Sequence, residues 1–138
     1  MGATENRVAA RRFFDDVWSK GDMSAIDELL DPNFAFILAF MRTDGLEAFK
    51  NLVRANRTAF ENLTYVAAPG DVVAEDDKAA GYWTMSAKHV GPWAGIEATG
   101  ISVSIEGMTF FRFGPDGKIV DARVQNDVRG LRRQLGAE

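Results

Sequence analysis

The apolar rhythm of this chain changes partway along, and that switch decides the class of fold. In residues 4–20, Val8, Phe13, Phe14, Val17 and Trp18 recur at the spacing of one helical face, and Gly21 supplies a stop. Asp22 is placed to cap a second helix over 23–30, which closes at Asp31-Pro32 because a residue before proline is pushed out of the α region. The run Asn33-Phe34-Ala35-Phe36-Ile37-Leu38-Ala39-Phe40 reads as a short buried strand. Asp44 opens a third helix to about residue 60, with Leu46, Phe49, Leu52, Val53 and Phe60 on one side. Beyond it the period is two. Segments 63–68, 72–75, 79–89, 101–113 and 118–127 read as strands, separated by Pro69-Gly70, by 75–78, by a glycine-rich loop and by Pro115-Asp116-Gly117. A short helix follows Asp127. Helices first and strands afterwards predict an α+β fold: a curved, mostly antiparallel sheet with three N-terminal helices and a short C-terminal helix enclosing an apolar pocket.

The 138 residues suit one domain, 1–138, with no repeat, low-complexity tract or linker. A net charge of −4 argues against nucleic acid, which needs a concentrated Lys/Arg surface; Arg11-Arg12 and Arg132-Arg133 read as solvated helix faces. No apolar run approaches the roughly 20 residues of a membrane span. Residues 1–6 show neither a basic n-region nor an apolar h-region, so the expected setting is cytoplasmic, without a secretory signal. The absence of cysteine removes disulfides, thiol nucleophiles and thiolate metal sites. The only histidine has no paired carboxylates at ligand spacing, so no metal and no cofactor are expected.

Two titratable residues stand out. Asp127 lies where the last strand meets the last helix. A placed carboxylate can serve as a general base, and apolar burial raises a carboxyl from its ordinary value near 3.9 toward working pH. The same position suits an N-cap bonding the amide of Arg129 or Gly130. Its parity also matters, since Val120, Ala122 and Val124 alternate with Asp121, Arg123, Gln125 and Asp127. An apolar inner face would turn Asp127 outward unless a bulge re-aims it, and would turn Asn126 inward; Gln125 and Asn126 are both kept as pocket candidates. His89 shares its parity with Trp83, Met85 and Ala87, which places the imidazole at the rim of the cavity, ready to donate to an enolate oxygen, or packed at a strand end on Trp93. Phe14, Trp18, Phe36, Phe40, Phe60, Trp83, Trp93 and Phe111 furnish a core or a wall favouring a flat apolar guest, with Thr109 as a lone polar group in it.

The segments Trp83-Thr84-Met85-Ser86-Ala87-Lys88-His89-Val90-Gly91, Gly95-Ile96-Glu97-Ala98-Thr99-Gly100, Phe111-Arg112-Phe113 and Asp116-Gly117-Lys118-Ile119-Val120 occur in that order, followed by Asp127 and Arg133-Gln134-Leu135-Gly136. In this the chain resembles the SnoaL-like polyketide cyclases of the NTF2-like, ketosteroid-isomerase-like superfamily, over nearly its whole length. The resemblance implies an NTF2-like cone, a homodimer and a cofactor-independent intramolecular aldol condensation on a small hydrophobic or polycyclic carbonyl compound. Asp127 would be the base and His89 its assistant, and Phe14, Trp18, Leu38, Phe40, Trp83, Met85, Trp93, Thr109, Phe111, Gln125 and Asn126 would form the substrate pocket. The chain departs from the family at Glu97-Ala98, usually Pro-Pro, and at Arg123, commonly Trp. The polar residues that assist the aspartate fall near Phe111 and Phe113. Phe14, Leu38 and Thr109 occupy the polar positions of a ketosteroid isomerase, which disfavours that activity. Two alternatives remain: non-catalytic binding of an apolar ligand, and an epoxide hydrolase or dehydratase using Arg123 with Asp127.

Overall fold

A computed structural model describes residues 2–137. Helix α1, Ala3–Arg12, runs directly into a π-helical segment, Phe13–Ser19. The wider turn sets Phe13, Phe14, Val17 and Trp18 all inside; such turns recur at functional sites. Asp22 caps α2, Met23–Leu29, accepting from the amides of Ser24 and Ala25 at 3.0 and 3.3 Å. Helix α3 is Leu46–Ala59 and α4 is Val128–Gln134.

The strands are β1 Leu30–Ile37, β2 Arg42–Asp44, β3 Phe60–Val66, β4 Val72–Glu75, β5 Lys78–His89, β6 Ser102–Phe113 and β7 Ile119–Asn126. They form one sheet in the order β2-β1-β7-β6-β5-β3, with β4 also on β5. Only the β1–β7 pairing is parallel. The apolar run from Asn33 predicts one strand to Phe40; instead the chain turns after Ile37, with the Leu38 amide on the Met41 carbonyl at 2.9 Å, and returns as β2. Pro32 sits in the register break of β1 between Leu30 and Ala35, where a missing N–H costs no ladder bond.

Along β5 and β6 every second residue is buried, so one face of the sheet meets the helices and the other meets solvent. Phe13 is the hub of the filled end of the cone. Its ring lies 5.2 Å from Phe111, 5.8 Å from Phe49, and within 6.1 to 6.3 Å of Phe14, Phe34 and Phe36. Phe111 therefore belongs to this solid core and not to the pocket wall expected for it; its ring is fully enclosed by Phe13, Phe14 and Phe113. Toward Thr109 and Ile105 the cone is hollow.

Candidate active site

The hollow is a cavity of about 130 Å³. The helices give it Phe14, Trp18, Leu52 and Asn56. The sheet gives Tyr65, Trp83, Met85, Thr109, Val124 and Asn126. Its rim is Leu38, Phe40 and Met41 from the β1–β2 turn, Trp93 from the loop after β5, and Val128 and Leu131 from α4. Two glycines make the wall possible. A Cβ at Gly81 would lie 2.5 Å from the Phe14 ring, and one at Gly107 would lie 2.5 Å from the Trp83 ring. Both large rings therefore press against bare backbone.

Most of the expected lining residues come together here: Phe14, Trp18, Leu38, Phe40, Trp83, Met85, Trp93, Thr109 and Asn126 all face the cavity. Gln125 does not. Strand β7 keeps strict alternation to its end, so Ala122, Val124 and Asn126 turn inward while Arg123 and Gln125 are exposed. The irregularity that β7 does have lies upstream, between the Arg112 and Phe113 pairings, too early to re-aim the C-terminal residues.

The same alternation governs Asp127. Its side chain is exposed, and its Oδ1 accepts the Gly130 amide at 2.9 Å, the N-cap of α4. It is not part of the cavity wall, which corrects the placement of this carboxylate in an apolar chamber. Arg123 is also outside, 4.0 Å from Asp121, and among the described residues no Arg–Asp pair lines the cavity.

His89 is fully buried, on the inner parity as expected, yet the rim position expected for it is taken by others. Its ring packs at 5.3 Å on Phe60, which in turn meets Trp93 at 5.6 Å, and these two rings are the wall. Nδ1 accepts the Thr99 amide at 3.3 Å and lies 3.0 Å from Thr99 Oγ1, which places the proton on Nε2; that atom has no partner among the described residues. With backbone bonds to Ile101 and Gly100, His89 pins both ends of the loop that carries Trp93. The imidazole and the carboxylate do not meet in one space.

Within the wall, Trp83 Nε1 donates to Thr109 Oγ1 at 2.9 Å, and Asn56 Nδ2 donates to the Leu52 carbonyl at 3.0 Å. The Asn126 carboxamide and the Tyr65 hydroxyl form no side-chain hydrogen bond within the described residues and are not among the fully buried unpaired atoms; both residues line the cavity. Tyr65 is a lining residue outside the expected set; it shares the parity of Leu63, which also lines the cavity. Burial pushes the Tyr65 phenol well above its ordinary value of about 10. A group whose folded pKa is raised contributes stability that is complete below its unfolded pKa and is lost above it. The urea midpoint is therefore expected to fall from pH 10 upward, and Tyr65→Phe is expected to flatten that fall.

Solved structures show the same cone. TsrD from Streptomyces laurentii is 28% identical over 100% of this chain and 99% of its own, with a TM-score of 0.87. AclR from Streptomyces galilaeus, provisionally named a hydroxylase, is 25% identical over 97% of each chain, TM-score 0.82. A protein from Jannaschia sp. CCS1 with a provisional SnoaL-like polyketide cyclase name is 22% identical over 99% of this chain and 94% of its own, TM-score 0.89, and supports the fold alone. No curated protein matches the sequence. The sequence profile of the SnoaL-like polyketide cyclases matches residues 8–135, nearly the whole described chain. On that match and that shared fold, the chain belongs to the SnoaL-like polyketide cyclase family.

Proposed function

We propose that this chain is a cofactor-independent enzyme of the cyclase type, acting on an apolar carbonyl compound in the chamber with Asp127 as its base. One observation carries the assignment of the base. Asp127 stands between Asn126 and Val128, both in the cavity wall, and a single amide holds its exposed carboxylate. Rotation about its Cα–Cβ bond exchanges the Gly130 amide for a C–H bond at the mouth. The carboxylate takes a proton from the carbon between two carbonyls, and the electron pair passes to the enolate. The enolate carbon attacks an aldehyde carbon of the same molecule and forms the ring C–C bond. The former aldehyde oxygen recovers the proton from Asp127, so no atom is lost.

The test is solvent-deuterium exchange at the activated carbon of 1-phenylbutane-1,3-dione, followed by proton NMR. Exchange above the buffer background that is suppressed by naphthalene filling the cavity supports the reading, and exchange at background with the ligand bound rejects it. That second result would favour non-catalytic binding of an apolar ligand. The structural feature behind that alternative is a wall in which no Asp, Glu or His occurs among the described residues.

Gly130 offers an independent probe. A Cβ there would overlap the capping carboxylate of Asp127. In Gly130→Ala, losing the cap costs about 1 kcal/mol and replacing a helical glycine returns about the same, so thermal stability is expected to be unchanged. The freed carboxylate is expected to keep or raise the exchange rate.

A further inference from the structure

Resting on the reading that the chamber holds a carbonyl compound, the geometry points to a narrower guest. We propose that the Tyr65 hydroxyl and the Asn126 carboxamide are the polar pole of the chamber, gripping the oxygen of an uncharged aryl ketone or aldehyde of one or two rings, and that four-ring compounds are excluded.

The size of the chamber limits the guest. Pockets for drug-sized ligands run from about 300 to 1,000 Å³, whereas a cavity near 150 Å³ accepts benzene. The chamber, at about 130 Å³, belongs with the latter. Its deep wall has little slack, because Phe14 and Trp83 are already pressed onto Gly81 and Gly107. Further inward, the space is occupied by the Phe13–Phe111 cluster. Any extra length must come from the rim at Phe40 and Met41.

Its polarity limits the guest as well. Tyr65 is held between Trp18, at 5.4 Å, and Trp83, at 4.7 Å edge-on. The six-membered ring of Trp83 and the Cβ of Asn126 converge on the same point above Gly107, 2.5 and 2.9 Å from where a Cβ would stand. Tyr65 and Asn126 thus flank one indole, and that indole is fixed because its N–H is committed to Thr109. Neither polar group is among the fully buried unpaired atoms, and both residues line the cavity, so a guest there can reach them. Burial keeps the Tyr65 phenol protonated, hence a donor, through neutral and mildly alkaline pH. The Asn126 amide supplies a second donor. Two neutral donors suit a carbonyl oxygen and strengthen as it becomes an enolate. The wall presents no Lys, Arg or His among the described residues, so a carboxylate or phosphate guest would bring an unpaired charge into the chamber.

Trp18, Trp83 and Trp93 all line the cavity, so their fluorescence reports occupancy directly. The experiment titrates the protein with 2-acetylnaphthalene, with 2-isopropenylnaphthalene, which has nearly the same shape but no oxygen acceptor, and with the four-ring 5,12-naphthacenequinone. The ketone is expected to bind about 10-fold tighter than the hydrocarbon, the size of effect two net hydrogen bonds give. Tyr65→Phe and Asn126→Leu are each expected to weaken the ketone about threefold and to lower the ketone-to-hydrocarbon ratio by the same factor. The quinone is expected to leave the fluorescence unaltered. Equal affinities for ketone and hydrocarbon, binding of the quinone as tight as the ketone, or no binding of either naphthalene would overturn the proposal. The wild-type ketone-to-hydrocarbon ratio decides the polar pole even where a variant misfolds. It is also independent of Asp127: loss of deuterium exchange with the ratio intact condemns the base, and loss of the ratio with exchange intact condemns the pole.

Discussion

Asp127→Asn is expected to slow deuterium exchange on 1-phenylbutane-1,3-dione by about 10²–10⁴-fold, the usual contribution of a placed general base, with little change in unfolding temperature. The separation is possible because asparagine caps a helix about as well as aspartate does, so the bond to the Gly130 amide survives the substitution. What the variant loses besides the base is a charge at the start of α4, worth roughly 0.3–1 kcal/mol at an exposed position. Asp127→Ala removes both roles and adds about 1 kcal/mol of destabilisation from the lost cap. If the residue only caps, the two variants differ in stability and neither changes exchange. A base instead makes both inactive, and only the alanine variant is softened.

Phe13→Ala is expected to cost about 3–5 kcal/mol of a total of roughly 5–15 kcal/mol for a domain of this kind. The ring is 1% exposed and meets five other aromatic rings from the π-helical segment, β1, α3 and β6. The void it leaves cannot collapse easily, because those partners are anchored on four separate elements. Phe40 is the control. It is 62% exposed at the rim, and Phe40→Ala is expected to cost within about 0.5 kcal/mol while altering ligand affinity. Urea titrations of the two variants check both figures.

Local periodicity carried the fold a long way. The burial alternation of β5 and β6, the Asp22 cap and the π-helical segment's buried face all follow from residues within a few positions of one another. The β1–β2 turn was hidden because Leu38, Ala39 and Phe40 are as apolar as the strand before them; Leu38 and Phe40 line the rim of a cavity rather than a core. The parallel pairing of β1 with β7 joins segments far apart in the chain and leaves no local mark.

The site was legible as a surface and not as a mechanism. Parity correctly separates Asn126 from Gln125, and the same parity warned that Asp127 points outward. His89 shows the limit of such reasoning. Its inward face is readable, but whether Phe60 stands in front of it depends on how β3 crosses β5, which pairs Phe60 with His89. Phe111 and Thr109 share a strand face, yet one is core and the other wall, because the π-helical segment delivers Phe13 onto Phe111 alone.

The most direct test of the proposed chemistry is a crystal structure with 1-phenylbutane-1,3-dione in the cavity, read for the position of one carboxylate. The expected result is Asp127 released from the Gly130 amide, with an oxygen about 3–3.5 Å from the carbon between the two carbonyls. A ligand seated in the chamber with Asp127 still bound to Gly130 and facing solvent would contradict it.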